Sequence, residues 1–128
     1  MKYLLMLSTL SLSLMFSAGS WAEWTGVAQG VGGYPKLYVD FKRIQKNDGL
    51  VYYWELQNLL EPTPNGTLSF LGYYKGDCKI GKRMMVSMTS YKLQMGEGDG
   101  RTWSPKPQWD FLQPKSSAKM TQQAVCDH

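Results

Sequence analysis

Two cysteines separated by 48 positions, Cys78 in "YKGDCKIGKRMM" and Cys126 in "AVCDH", constrain this chain more than any other feature. A structural metal site needs about four sulfur or nitrogen ligands. The only histidine is the last residue, His128, so two thiols and one imidazole fall short. A dithiol redox centre places its sulfurs close together, as in Cys-x-x-Cys, and this spacing does not. An even cysteine count in an oxidising compartment leaves a disulfide, Cys78–Cys126. Closing a loop of this length stabilises a fold by about 4 kcal/mol in the chain-entropy treatment.

The compartment is written in the first residues. "MKYLLMLSTLSLSLMFSAGSWA" has one early positive charge, Lys2, then an apolar run from Leu4 to Phe16, then the small residues Ser20 and Ala22. This is the three-part layout of a secretory signal peptide, cleaved after Ala22. The competing reading is a retained anchor helix, but the run is short for a bilayer and Ser and Thr interrupt it. Position 23 is Glu, so there is no lipidation cysteine to fix the mature chain to the surface. The expected layout is a signal peptide over residues 1–22 and one domain over 23–128, exported to the periplasm or the medium and not membrane-spanning. Such a domain has a modest core and gains from a covalent tie.

The chain has 14 basic and 10 acidic residues, and Lys2 leaves with the signal. The remaining excess of +3 (13 basic less 10 acidic) is well below the density of a nucleic-acid binder.

Alternation dominates the middle of the chain. Residues 24–29 alternate weakly, and Gly30, Gly32 and Gly33 turn before Pro35 without dinucleotide or P-loop spacing. "KLYVDFKRI" reads as a strand, and Asn47-Asp48-Gly49 as a turn. "LVYYWELQNLL" is the strongest strand, with Leu50, Tyr52, Trp54 and Leu56 on one face and Val51, Tyr53, Glu55 and Gln57 on the other. Pro62, Pro64 and Asn65-Gly66 form a hairpin loop, which also accounts for the Asn65-Gly66-Thr67 sequon. In the returning strand Leu68, Phe70, Gly72 and Tyr74 share a face, and the parity continued to Cys78 points its sulfur to the core. "KIGKRMMVSMTSYKL" pairs with it, with Ile80, Met84, Val86 and Met88 alternating against Arg83, Ser87 and Thr89. "QMGEGDGRTWSPKPQWDFLQP" reads as loop, with Trp103, Trp109 and Phe111 as anchors; its "GEGDGR" lacks the ligand spacing of a calcium loop. Ser116 or Ser117 opens a C-terminal helix through Ala124, with Cys126 on the side of Gln122. Consecutive hairpins and a final helix make an α+β domain, the disulfide tying the helix to one sheet face.

Catalytic chemistry is missing. Without an internal histidine there is no Ser-His or Cys-His pair, and Glu55, Asp77, Glu97 and Asp99 form no recognisable acid pair. No enzyme, metal or cofactor is expected. Two surface patterns carry binding readings. Lys75, Lys79, Lys82 and Arg83 crowd one turn, and Lys42, Arg43 and Lys46 another: either solvated charge or a contact for polyanions such as lipopolysaccharide, heparin-like glycans or acidic proteins. Tyr52, Tyr53, Trp54, Tyr73, Tyr74 and Tyr91 lie on neighbouring strands: one parity is core, and the other either stabilises the sheet or forms a recognition surface. The candidate surface is Lys75, Lys79, Lys82, Arg83, Tyr53 and Tyr73.

"LYVD", "VYYWEL", a Pro/Gly hairpin, "GDCKIGKRMMVSMTSY", "QMGEGDG", "PQWDFLQPKSS" and the terminal "AVC" together resemble the surface-adhesin protein E family of Gram-negative bacteria, over roughly residues 34–126. The resemblance implies an antiparallel sheet of about six strands with a disulfide-held C-terminal helix. It also implies binding of extracellular-matrix and plasma proteins. The function expected is a non-catalytic binding protein of the cell envelope. The alternative is a periplasmic carrier of haem or another small amphiphile, with Met84, Met85 and Met88 lining a concavity.

Overall fold

A computed structural model describes residues 22–128, so the signal-peptide reading of the N-terminus lies outside the described residues. Eight strands form one antiparallel sheet: β1 (Thr25–Gln29), β2 (Lys36–Val39), β3 (Gln45–Asn47), β4 (Leu50–Asn58), β5 (Ser69–Asp77), β6 (Lys82–Tyr91), β7 (Gly100–Trp103) and β8 (Trp109–Phe111). The spatial order is β1-β2-β4-β5-β6-β7, with β3 beside β2 on the edge of β4 and β8 beside β7 on the edge of β6. The α+β expectation holds, and the helix α1 (Ser117–Cys126) closes the chain.

Three expectations about elements need correction. The strand starting at Lys36 ends at Val39, because Asp40 breaks the alternation: its Oδ1 accepts the Lys42 N–H at 3.1 Å and caps a short 3-10 turn, Phe41–Arg43. The chain then rejoins the sheet as β3, and Asp48 and Gly49, both at positive φ, make the two-residue turn into β4. The segment read as loop contains β7 and β8, which pair with β6. Trp103 and Phe111 are exposed there and anchor no core. Finally, β6 does not hold one parity. The register slips opposite Tyr73 and Tyr74, where Ser87 and Met85 are the partners and Val86 is extra. Met84 therefore faces one side of the sheet, and Met85 and Met88 the other.

The core lies on the face of Leu37, Val39, Val51, Tyr53, Gly72, Tyr74 and Gly76, under α1. Val125, fully buried, is the main apolar contribution of the helix; Thr121 and Gln122 are buried beside it. Ser116 caps α1 by accepting the Lys119 N–H at 3.1 Å. Ten residues are marginal alone as a helix in water, so packing and the disulfide hold it. The bridge is present, with an S–S distance of 2.07 Å. Cys78 is exposed rather than core-facing, because β5 ends at Asp77 and the cysteine enters the turn. The disulfide thus clips the end of α1 to the end of the sheet. Lys46 adds to the clip by donating to the His128 backbone oxygen at 2.7 Å.

Candidate functional site

The two faces of β4 have different fates. One carries Val51, Tyr53 and Glu55 under the helix. The other carries Tyr52 and Trp54, half-buried, with no helix over them; farther along it, Leu56 and Asn58 are buried under the 3-10 turn Gln94–Gly96, so this face is uncovered only at its Tyr52 and Trp54 end. Register extends the second face across the sheet. Gln45, Tyr52, Lys75, Met84 and Trp109 are successive cross-strand partners from β3 to β8. Beside this row Trp54 pairs with Tyr73, and Tyr73 with Ser87.

Aromatic contacts knit the rows together. The Trp54 and Tyr73 rings are 4.6 Å apart, and the Tyr52 and Tyr73 rings 6.5 Å, both tilted. Cations sit against the rings. Arg43 lies between Trp24 and Trp54 at 5.8 and 5.6 Å, and Asp40 fixes it through a 2.7 Å ion pair. Lys75 and Lys82 lie over Trp109 at 5.7 and 4.6 Å. Ring contacts of this kind contribute about 0.5–1 kcal/mol at exposed sites and restrict long lysine side chains. Neither lysine has a carboxylate within ion-pair distance among the described residues. Asp77 is the nearest acid along β5, and its Oδ1 is engaged by the Lys79 and Ile80 N–H groups, each at 3.0 Å. A shallow recess between Gln45, Lys46, Asn47, Tyr52 and Tyr73 opens at one end.

The opposite face holds a polar cluster. Arg83 donates to Glu55 at 2.7 Å and to the Tyr53 hydroxyl at 3.3 Å, and its guanidinium lies 3.9 Å from the Tyr74 ring centroid. Tyr53 donates to Gln122 Oε1 at 3.1 Å, and Gln122 donates to the Lys82 carbonyl at 3.0 Å. Burial works against the Arg83 charge, but the Glu55 carboxylate and both tyrosines outweigh it and raise its pKa. Burial pushes the Tyr53 hydroxyl up as well, against the pull of Arg83. Tyr74 is pushed up to about 12 by burial, with Glu55 adding and Arg83 opposing. No buried side-chain nitrogen or oxygen lacks a hydrogen-bond partner among the described residues. The cluster joins helix to sheet and offers no open position for a ligand.

The expected basic and aromatic group is therefore split. Lys75, Lys82 and Tyr73 share the uncovered face. Lys79 is exposed in the β5–β6 turn. Arg83 faces the core, its side chain 15% exposed and paired to Glu55. Tyr53 is fully buried, so it belongs to no contact surface. Both are displaced by strand alternation, which sends neighbours to opposite faces. Met84, Met85 and Met88 line no common concavity: Met84 lies in the uncovered row, and Met85 and Met88 pack on the core side. Tyr52 and Trp54 were separable as one parity of β4; Arg43 was visible only as part of a basic turn and Trp109 only as an anchor, because their placement here, like that of Trp24, depends on the 3-10 turn and on β8. Among the described residues no group of His, Cys, Asp and Glu could hold a metal ion, and no helix is long and apolar enough to cross a membrane.

The surface-adhesin protein E family model matches residues 24–127. A comparison with curated proteins finds no matching relative. Among solved structures, crystal form II of Haemophilus influenzae protein E is similar at 20% identity, with a TM-score of 0.61, over 80% of this chain and 88% of that one. Another structure of that protein gives a TM-score of 0.59 at 20% identity, over 80% of this chain and 85% of that one. Protein E from non-typeable Haemophilus influenzae gives a TM-score of 0.59 at 18% identity, over 86% and 79% respectively.

Proposed function

Because the chain belongs to the surface-adhesin protein E family, we propose that it is an exported, non-catalytic binding protein of the bacterial cell envelope that holds host or envelope macromolecules on its uncovered sheet face. The observation that carries this reading is the cluster of half-buried rings, Trp54, Tyr73 and Tyr52, bordered by Arg43, Lys75 and Lys82. Aromatic residues and arginine are the types enriched where proteins recognise macromolecules; the rings offer large contact area with little rotamer entropy to lose, and arginine a planar, multiply donating charge. The pairing of Tyr52 with Lys75 and of Trp54 with Tyr73 holds these side chains on a rigid sheet rather than on loops. Export follows from the signal peptide, with the mature chain beginning at Glu23; the intact mass of the exported protein checks the cleavage.

The test is capture of immobilised matrix and plasma proteins by wild type and by Trp54→Ala and Tyr73→Ala, over a salt series. Weakened capture by both variants at unchanged folding supports the reading. Capture that ignores both substitutions overturns it.

A further inference from the structure

From the row Gln45–Tyr52–Lys75–Met84–Trp109 we infer that the uncovered face is a binding platform for a sulfated, uronate-bearing glycan chain lying across the strands. This rests on the proposed binding role of that face and assigns its ligand chemistry.

Three observations lead to it. First, the platform is long. Tyr52 on β4 and Trp109 on β8 are three strand spacings apart, about 14 Å at the usual separation of paired strands, with Lys75 between them. Half-buried rings three strands apart along the row suit the apolar C–H faces of successive sugar rings in a short oligosaccharide. A compact anion would use one end only. Second, two cations are already placed. Lys75 and Lys82 rest against Trp109 without a carboxylate partner, and Asp77 is occupied by backbone N–H groups. Sulfate or carboxylate groups on the chain would meet two cations whose side chains have lost part of their freedom beforehand. Arg43, locked between Trp24 and Trp54 by Asp40, marks the other end of the face with a third. Third, the face is open. The recess at Gln45, Lys46, Asn47, Tyr52 and Tyr73 is shallow, and nothing along the row encloses an acyl chain, so a lipid anion would leave its tails in water.

The probe is a size-defined heparin hexasaccharide, measured by calorimetry against the oxidised exported protein. Tyr52→Ala and Trp109→Ala are each expected to weaken binding about tenfold, the scale of a central aromatic contact. Lys75→Gln with Lys82→Gln is expected to weaken it similarly and to flatten the salt dependence. Lys106→Gln, in the exposed loop between β7 and β8, leaves it unchanged. A second readout needs no variant. Saturating hexasaccharide should protect Trp54 and Trp109 from N-bromosuccinimide oxidation, located by peptide mass, and should leave exposed Trp103 reactive.

Fully desulfated hexasaccharide and polyglutamate separate the possibilities. Equal binding of polyglutamate means that the face reads charge alone, and overturns the assignment. Displacement of the hexasaccharide by lower concentrations of purified lipopolysaccharide overturns it in favour of a lipid-linked anion. Capture of matrix proteins that depends on Trp54 and Tyr73, with no hexasaccharide binding, overturns the glycan and leaves the wider binding role standing. Loss of both overturns both.

Discussion

The polar cluster under the helix makes a quantitative prediction through the Glu55–Arg83 pair. Its side chains are 5% and 15% exposed, and they meet at 2.7 Å. Replacing Arg83 with Met leaves a carboxylate buried on the core face with no cation. Replacing Glu55 with Leu leaves a guanidinium held only by the Tyr53 hydroxyl and the face of the Tyr74 ring. Either single change should cost about 3–5 kcal/mol, because the remaining charge keeps its desolvation penalty and loses its partner. The double variant Glu55→Leu/Arg83→Met should cost less than either single change. It removes both penalties together, and Tyr53 keeps its hydrogen bond to Gln122. What stays lost is the guanidinium over the Tyr74 ring, worth about 2 kcal/mol when desolvated. The two single costs together exceed that of the double variant by at least about 4 kcal/mol, which is the expected coupling. Urea unfolding of the oxidised protein reads it: with a slope of about 2 kcal/mol/M, each single variant loses about 2 M from its midpoint and the double variant recovers at least half. Additive costs, with a coupling under about 0.5 kcal/mol, would mean that water reaches the pair and that the cluster does not bind helix to sheet electrostatically.

Three further outcomes follow from the same geometry. Replacing Cys78 and Cys126 together by Ala should cost about 2–5 kcal/mol, with hydrogen exchange rising first in α1, while the native protein should show no labelled thiol. Tyr74 should make stability fall at alkaline pH: its hydroxyl titrates near 10 unfolded but at about 12 folded, so across that window the folded chain holds the extra proton and loses stability as pH rises. Urea midpoints at about pH 9 and about pH 11 should differ in that sense for wild type, and less for Tyr74→Phe. Gly76→Ala should destabilise by about 1–3 kcal/mol in thermal unfolding, since a Cβ there would lie 2.5 Å from Gln122 Oε1.

The parts of the fold visible in the sequence are those where chemistry acts locally. Alternation over Leu50–Gln57 marks β4, Asp48-Gly49 marks its turn, and Ser116 marks the start of α1, each through residues near in sequence. The disulfide followed from compartment and count. β7 and β8 were hidden because four exposed residues in one, and three residues with only Trp109 half-buried in the other, carry no alternation; only pairing with β6 makes them strands. The extra residue Val86 was hidden for a related reason: a bulge appears only when two strands are laid side by side. This decides the site. Lys75, Lys82 and Arg83 look like one basic group along the chain, but Arg83 lies one position beyond Lys82 on a strand and turns to the core. Trp109, which holds the two lysines, enters only with β8.

Adjacent tyrosines show why one face is closed and the other open. Tyr52 and Tyr53 have similar neighbours in sequence, yet Tyr53 is fully buried and Tyr52 is not. The difference lies on β5. On the core side β5 presents Gly72, Tyr74 and Gly76, so every second position has no side chain. The Tyr74 ring folds into the space over Gly72, where a Cβ would lie 2.5 Å from it, and Gln122 of α1 enters over Gly76. Those absences let a helix and a stacked Tyr53–Tyr74 pair, 5.7 Å apart, come down onto the backbone. On the other side β5 presents Leu71, Tyr73 and Lys75, and β4 opposes them with Leu56, Trp54 and Tyr52. A helix laid over that relief would rest on the ring tips and bury lysine without a partner, which is costly. On β5 the glycines that admit the helix to one face alternate with Tyr73 and Lys75, which help to keep it from the other. A change at Gly72 or Gly76 should therefore disturb stability first, and a change at Tyr73 or Lys75 should disturb binding first.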